Sequence, residues 1–212
     1  TALTIQVTRK TASELGLNRN ESAAYEPIFA AISGDKNMGD AFLNFTDAAS
    51  FKSALRTLLP DYAGASFDSV TLASRASMNW LADPSAPVYQ AGPWGLWIQQ
   101  VGWLHSKAID DTAGYRVAGW GMAGGGERSL GKFGRVGVSL AYLVGTTNDK
   151  DTANKVTNSQ YEFGGYWRSD WGRLHAYARA NYAFIKFKST RSFTGSDDGT
   201  DFTRTAVGRW NG

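Results

Sequence analysis

The 212-residue chain contains no cysteine, which excludes a disulfide framework and a metal site built from thiolates. It has no run that approaches the ~20 apolar residues of a membrane-spanning helix. The net charge is only +3, and the lysines and arginines are scattered instead of forming a basic face with interleaved aromatics. We therefore expect no disulfide scaffold, no helical membrane span and no nucleic-acid partner.

Motifs of catalysis and cofactor binding are scarce as well. The only two histidines, His105 and His175, have no partner at metal-ligand spacing. The run 119–124 has the glycine spacing of a dinucleotide-binding turn, but it lies within a predicted strand, whereas such a turn must join a strand to a helix. No Gly-x-Ser-x-Gly nucleophile turn is present. We predict no catalytic residue, no metal site and no cofactor, and hence no enzyme.

What the chain does contain is a region of alternating residues, rich in glycine and aromatics, over 95–212. It divides into six predicted strands at 95–105, 114–126, 133–145, 157–168, 173–188 and 201–210. Long polar connections at 106–113, 146–156 and 189–200 alternate with tight ones at 127–132 and 169–172. Outer-membrane barrels place tight turns in the periplasm and longer loops outside. The predicted fold is mainly β, a portion of an antiparallel up-and-down outer-membrane β-barrel whose first strand runs outward.

The alternation also assigns the two faces of the predicted sheet. Val138 and Leu140 share a face with other apolar residues of the third strand, and we expect this face to meet lipid. Polar and charged side chains fall on the opposite face of the next two strands. The predicted pore-lining residues are Gln160, Glu162, Tyr166, Arg168, His175, Tyr177, Arg179 and Asn181. We expect Glu162 and Arg179 to form a pair across adjacent strands.

The first 87 residues are organised differently. A short strand is predicted at 3–8, and helices are predicted at 21–33 and 47–58, with a turn at 34–39 between them. A longer helix is predicted at 60–82, because proline is favoured in a first helical turn. It is slim, and its length of about 30 Å approaches the thickness of a bilayer's hydrocarbon core.

Such a slim, partly polar helix suits the inside of a pore. The predicted pore-helix residues are Gly64, Ala65, Ser69, Ala73, Ala76 and Asn79. Two alternatives remain open. The helix would also suit packing on a soluble core, and a soluble β-sandwich would show the same alternation in its strands, although its outward residues would be polar.

Four stretches occur in an informative order along the chain: 3–21, 58–64, 92–100 and 114–130. Together they resemble the C-terminal translocator region of autotransporters, especially those of alphaproteobacteria, over nearly the whole chain. The resemblance implies a barrel of twelve strands that helps to export its own N-terminal passenger to the cell surface, assisted by the barrel-assembly machinery. It assigns the end of the passenger β-helix to 1–19, a helical connector to 20–87 with the pore helix at 60–82, and the N-terminal half of the barrel to 88–212.

Only about six of the twelve implied strands are predicted. An open sheet has two edges, and lipid offers no hydrogen-bond partner to their N–H and C=O groups. We therefore expect the missing strands to come from a longer parent chain or from another copy. The other expected partners are outer-membrane lipid and the passenger. The alternatives are a passive porin or adhesin-type surface barrel, and a soluble β-sheet fragment without transport activity.

Overall fold

The structure is a computed structural model that describes residues 9–61, 63–83, 85–108, 113–197 and 199–212. The strand predicted at 3–8 lies outside these residues. The chain divides into two compact units. The first consists of Thr1–Tyr62 and Arg191–Ala206, and the second of Ala63–Thr190 and Val207–Gly212.

Three helices belong to the first unit: α1 (Arg19–Ile32), α2 (Lys36–Leu43) and α3 (Ala48–Thr57). The sequence predicted α1 and α3, but the prediction of a turn at 34–39 was wrong, because most of that segment belongs to α2. Asp35 begins this helix by accepting a hydrogen bond from the Met38 N–H at 3.3 Å. Asp and Asn favour turns and also cap helices, so the same residues fit both interpretations.

Aromatic side chains form the core of the first unit. Phe42 is 5% exposed and its ring centroid lies 5.3 Å from that of Phe193, which is 3% exposed. Phe29 and Phe51 stack on each other with 6.1 Å between their centroids. Such ring pairs add to the stability gained from burial alone. The aromatic core therefore joins the helices to the segment that contains Phe193.

Asp35 also contacts the other segment of the first unit. Its carboxylate accepts a hydrogen bond from Arg204 Nε at 2.8 Å, and this bond is the main cause that lowers the pKa of Asp35 below its ordinary value of 3.8. Because the folded-state pKa is depressed, the contribution of this contact to stability is present at neutral pH. This contribution is lost as the pH falls below 3.8 and then through the lower pKa that Asp35 has in the folded state.

Seven strands form one antiparallel sheet in which each strand pairs with the next along the chain. They are β1 (Tyr89–Ala91), β2 (Trp94–Lys107), β3 (Tyr115–Ser129), β4 (Arg135–Asp149), β5 (Lys155–Trp171), β6 (Leu174–Asp197) and β7 (Thr200–Asn211). This confirms the predicted mainly β, up-and-down fold and adds the short β1 to the six strands predicted. In the described part of the chain β1 and β7 do not pair, so the sheet is open at both edges.

The loop predicted at 189–200 is mostly strand. β6 continues for 24 residues, and β7 begins three residues after β6 ends. The Ser and Thr content suggested a loop, but these hydroxyls pair across the hairpin. Ser192 Oγ lies 3.2 Å from Thr205 Oγ1, and Thr194 Oγ1 lies 3.1 Å from Thr203 Oγ1. Thr and Ser pairs of this kind stabilise antiparallel strands, which explains why the prediction was wrong.

The helix predicted at 60–82 is shorter than expected. Its regular part is α4 (Ser66–Met78), and a 3-10 turn follows at Asn79–Ala82. Gly64 precedes the helix at φ +67, a left-handed conformation that a helix interior does not contain, and Ala65 is the N-cap residue. These two predicted helix residues therefore lie at the entry to α4. Among the described residues, no helix is both long and apolar enough to cross a membrane.

The start of α1 supplies a test of the local structure. The Asn18 side chain accepts a hydrogen bond from the Glu21 N–H at 2.9 Å, and the Glu21 carboxylate accepts one from the Asn18 N–H at 2.8 Å. Removing the cap by Asn18→Ala should cost about 1 kcal/mol, which raises amide exchange in the first turn of α1 about fivefold. Hydrogen-exchange mass spectrometry measures this change. Asn44→Ala is the control and should leave the turn unchanged; equal exchange in Asn18→Ala and wild type would contradict the capping.

Candidate functional site

The two faces of the sheet differ in what covers them. On the outer face Val138, Leu140 and Phe163 are 68%, 59% and 51% exposed. They belong to a band of exposed apolar side chains that also includes Leu96, Ile98, Leu104, Trp120, Met122, Val136, Tyr142, Tyr161, Leu174, Tyr182 and Phe184. Soluble monomers rarely expose an apolar patch of more than a few hundred Å². The band therefore indicates a face suited to lipid and argues against a soluble sandwich, whose outward residues would be polar.

Helix α4 covers the inner face of the sheet. Ala73 is fully buried and packs with Ala76 against Val101 and Leu143. The small residues of the helix permit a close approach to the sheet. On the sheet, the residue that faces this part of the helix is a glycine. A Cβ atom at Gly145 would lie only 2.5 Å from both Ser69 Oγ and Asn158 Oδ1, so a larger residue there would have to displace these two side chains and their hydrogen bond.

Polar contacts attach the helix to the sheet at three levels. Near its start Ser69 Oγ donates to Asn158 Oδ1 at 2.7 Å. In the middle, the Ser74 carbonyl accepts a hydrogen bond from Arg179 Nη1 at 2.8 Å, and Ser74 Oγ accepts one from Asn181 Nδ2 at 3.1 Å. The Ser69–Asn158 bond is buried, and an unsatisfied polar group at that level would cost about 1–3 kcal/mol; the bonds to Ser74 lie nearer the open side of the helix.

The third level lies at Ser77, near the end of α4. Ser77 Oγ donates to Glu162 Oε2 at 2.9 Å, and the Ser77 carbonyl accepts a hydrogen bond from Gln99 Nε2 at 2.7 Å. Glu162 also accepts hydrogen bonds from Gln160 Nε2 at 2.6 Å and Asn181 Nδ2 at 3.2 Å. The carboxylate of Glu162 is thus surrounded by donors, which offsets the cost of its burial.

A denser cluster lies beyond the helix, next to the 3-10 turn. The Glu127 carboxylate is fully buried and accepts from Arg168 Nε at 2.9 Å and Nη2 at 2.7 Å, a two-bond ion pair. Arg135 Nη1 donates to the same carboxylate at 3.0 Å, and Tyr166 Oη donates to it at 3.2 Å. Two guanidinium groups and one carboxylate therefore share this site.

The ring of Trp80 also contacts the Arg168 guanidinium. Its Cζ lies 4.9 Å from the centre of the Trp80 ring, in cation–π geometry. The rings of Trp80 and Trp97 are 4.1 Å apart, and Trp97 Nε1 donates to Tyr166 Oη at 2.9 Å. His175 Nε2 donates to the Leu81 carbonyl at 2.6 Å, while its Nδ1 contacts the Asp170 carboxylate at 2.5 Å. The residues that follow α4 are thus fixed to the inner face.

The structure locates every residue predicted to line a pore. Gln160, Glu162, Tyr166 and Arg168 are buried on the inner face of β5; on β6 His175 and Arg179 are half-buried, whereas Tyr177 and Asn181 are exposed. Six of these eight residues contact α4, its following turn or the Glu127 cluster: Glu162, Tyr166, Arg168, His175, Arg179 and Asn181. That they line a pore stays a prediction.

The predicted pairing of Glu162 with Arg179 was wrong. The strand register places Arg179 opposite Tyr166, and Glu162 opposite Ala183. The two charged side chains are therefore separated along the strands, and each contacts the helix instead. Strand parity was sufficient to predict the face, but it does not determine register, which depends on where the tight turn falls.

Two contributors to the site were missed. Glu127 was assigned to a tight turn, although it continues the odd-numbered inner parity of Gly125 and Ala123 on β3. Trp80 was not among the residues predicted for the pore helix or the pore. The parity was visible in the sequence for Glu127, but nothing in the sequence indicated the partner of Trp80.

Among the described residues no cluster of His, Asp or Glu is arranged to hold a metal ion.

Comparison with known protein families gives one match. The family model for the autotransporter beta-domain matches residues 96–212, more than half of the chain. Neither the curated proteins nor the solved structures gave a match. The matched region contains β2 almost completely and all of β3–β7, and hence the whole inner face against which α4 packs.

The Glu127 cluster generates a stability prediction. Glu127→Gln leaves the shape intact but removes the charge that balances Arg168 and Arg135. Breaking a buried ion pair from one side costs about 3–5 kcal/mol, so the variant should unfold at a clearly lower urea concentration. Loss of the heat-modifiable band of the detergent-solubilised parent protein measures this unfolding. The exposed Asp201→Asn is the matched control, and a midpoint for Glu127→Gln equal to that of the control would contradict the assigned role.

Proposed function

The chain belongs to the autotransporter β-domain family, and we propose that it anchors its own N-terminal passenger in the bacterial outer membrane and helps to export that passenger to the cell surface. The family consists of outer-membrane β-barrel translocators of type V secretion, and it is not a family of enzymes. In the proposal α4 is the segment of the connector that remains inside the barrel, and the outer-face apolar band contacts lipid.

The observation that carries the proposal is the direction in which α4 runs along the inner face. Ser69, near its start, contacts Asn158, which is close to the first residue of β5. Ser77, near its end, contacts Glu162, and the following Leu81 contacts His175 at the start of β6. The helix therefore runs toward the end of the sheet at which β5 turns into β6, and the residues before α4 come from the opposite end.

The two ends of the sheet are of different kinds. Two residues connect β5 to β6 and two connect β6 to β7, so the ends differ in how far the strands extend and not in these turns. At the opposite end β6 continues to a total of 24 residues, more than twice the about 9–11 that cross a bilayer as a strand. Outer-membrane barrels keep tight turns in the periplasm and place larger extensions outside. This asymmetry supports an orientation in which the chain before α4 emerges at the cell surface.

The open sheet edges require partners in a membrane. Unpaired N–H and C=O groups of a strand edge cost several kcal/mol each in lipid, so only a closed barrel is stable there. We propose that further strands, from a longer parent chain or from another copy, close the barrel around α4. The barrel-assembly machinery would act at this stage, as the family resemblance implies.

A passive porin is the second candidate, and the position of α4 separates the two. A porin needs an aqueous lumen, whereas the three levels of hydrogen bonds described above hold α4 against the wall. The contacts of α4 with the sheet support a barrel that retains its own connector. No comparable observation supports an adhesin-type barrel or a soluble sheet.

The proposal predicts that the space for α4 limits export. Ala73 is fully buried between the helix and the sheet, so Ala73→Trp should push the helix away from Val101 and Leu143. Overpacking of this size should reduce surface display of the passenger by at least about tenfold. Flow cytometry with an antibody against the passenger measures display on intact cells. Leu104→Trp on the outer face is the control and should display normally; normal display of Ala73→Trp would refute a helix retained in the barrel.

A further inference from the structure

A hollow of about 920 Å³ interrupts the apolar outer face of the sheet. It lies over a row of small residues that the register aligns across four strands. Gly126 pairs with Val138, Val138 with Gly165, and Gly165 with Ala180. Three of these four residues carry at most a methyl group. Their side chains therefore project less from the sheet than those of the neighbouring row.

Larger side chains form a wall beside this row. The neighbouring row on the outer face consists of Gly124, Leu140, Phe163 and Tyr182, again aligned by the register. Leu140, Phe163 and Tyr182 all line the hollow and are each more than half exposed. The hollow is therefore a groove with an apolar floor and a raised aromatic side, on a face that is suited to hydrocarbon chains.

The groove continues toward a cation. A second hollow of about 260 Å³ shares Gly126 and Val138 with the first and reaches Arg128 and Trp94. Arg128 is two residues from Gly126 on the same face of β3, or about 7 Å along the strand. Its guanidinium lies 5.4 Å from the centre of the Trp94 ring. Apolar groove and cation thus belong to one continuous surface.

Arg128 is available to a ligand. Within the part of the chain that the structure describes, its side chain forms no ion pair and no hydrogen bond; Arg135 and Arg168 instead share the neighbouring Glu127. The aromatic side chains Trp94, Trp167 and Trp171 lie at the same end of the sheet, where girdles of aromatic residues mark the membrane interface. A guanidinium at that level matches the depth of a lipid phosphate.

We propose that this surface binds one anionic phospholipid, with its phosphate at Arg128 and one acyl chain in the groove over Gly126, Gly165 and Ala180. A guanidinium binds phosphate through two parallel charge-assisted hydrogen bonds, and a negative headgroup complements the positive charge left without a partner. The acyl chain of a lipid bound in this way would fill the groove, so that the glycine-rich row of the sheet remains in contact with hydrocarbon. The proposal rests on the membrane-embedded barrel proposed above and assigns the lipid to the leaflet beside the tight turns.

Native mass spectrometry tests this binding. The full-length protein is reconstituted in nanodiscs that contain equal amounts of phosphatidylglycerol and phosphatidylcholine, then released, and the lipid retained by the folded protein is counted. We expect wild type to retain one phosphatidylglycerol in preference to phosphatidylcholine. Arg128→Gln should lower that preference about tenfold, because a charge-assisted pair is lost. Arg116→Gln, an exposed arginine at the other end of β3, should not.

A second variant tests the groove independently of the cation. A Cβ atom at Gly165 would meet its nearest neighbour only at 4.0 Å, so Gly165→Leu fits the backbone and fills the hollow. It should remove retention of the lipid. Gly102→Leu is the matched control on the outer face, where a Cβ atom has a similar 3.7 Å of room, and should retain lipid as wild type does.

Three results would overturn the proposal: equal retention of both lipids by wild type, retention of phosphatidylglycerol that neither variant changes, or co-purification of a second polypeptide that Gly165→Leu releases in place of lipid. Surface display of the passenger is measured on the same variants. Normal display with loss of lipid preference would separate this inference from the proposed function, whereas preferential retention of phosphatidylglycerol by a wild-type protein that displays no passenger would count against the function alone.

Discussion

The close contact between α4 and the inner face of the sheet is the interaction on which the rest of the account depends. It requires small residues on both sides, and the chain supplies Ser69, Ala73 and Ala76 on the helix and Gly145 on the sheet. A slim helix alone would also fit many soluble proteins. What distinguishes this contact is that it covers the face of the sheet that carries the buried charged residues, while the other face is apolar and exposed.

That arrangement differs from a soluble protein. Charged and polar groups are buried together with apolar residues such as Val101 and Leu143 beneath the helix, and a band of apolar side chains is exposed on the other face. The burial is tolerated because Glu127 is paired with Arg168 and Arg135, and Glu162 accepts hydrogen bonds from three neutral donors. Unbalanced, each carboxylate would cost several kcal/mol to bury. Trp80 covers the Arg168 guanidinium, so the aromatic and ionic parts of the cluster depend on each other.

The fold and the faces of the strands could be predicted from the sequence, because side chains of the two kinds alternate with a period of two residues along the strands. Placing Val138 and Leu140 on one face of the strand and Ser139 on the other requires no knowledge of the rest of the molecule. Register and strand length could not be predicted in this way. Arg179 lies opposite Tyr166 because of where the turn at 172–173 falls, and β6 continues past Lys188 because Ser192 and Thr194 pair with Thr205 and Thr203. The first depends on which residues form the turn, and the second on contacts between the two strands of a hairpin.

The helices illustrate a different limit of sequence analysis. Asp35 and Asn37 favour a turn or a helix start to a similar degree, and the aromatic core around Phe42 decides in favour of α2. The opposite occurs before α4, where the favourable Pro60 does not begin the helix and Gly64 adopts a left-handed conformation. For α2 the local preference is weak, and packing against the rest of the unit determines the outcome.

Cross-linking in the outer membrane tests the central claim most directly. The 212 residues contain no cysteine, so Ser69→Cys and Asn158→Cys in the full-length protein introduce the only two thiols of this region. The 2.7 Å contact of the two native side chains predicts that a short thiol-specific cross-linker joins these positions in cells that display the passenger. Phe67→Cys with Asn158→Cys is the control, since Phe67 is 82% exposed, and should not be joined. Displayed passenger without a cross-link between positions 69 and 158 would contradict a connector helix held against the inner face of the barrel.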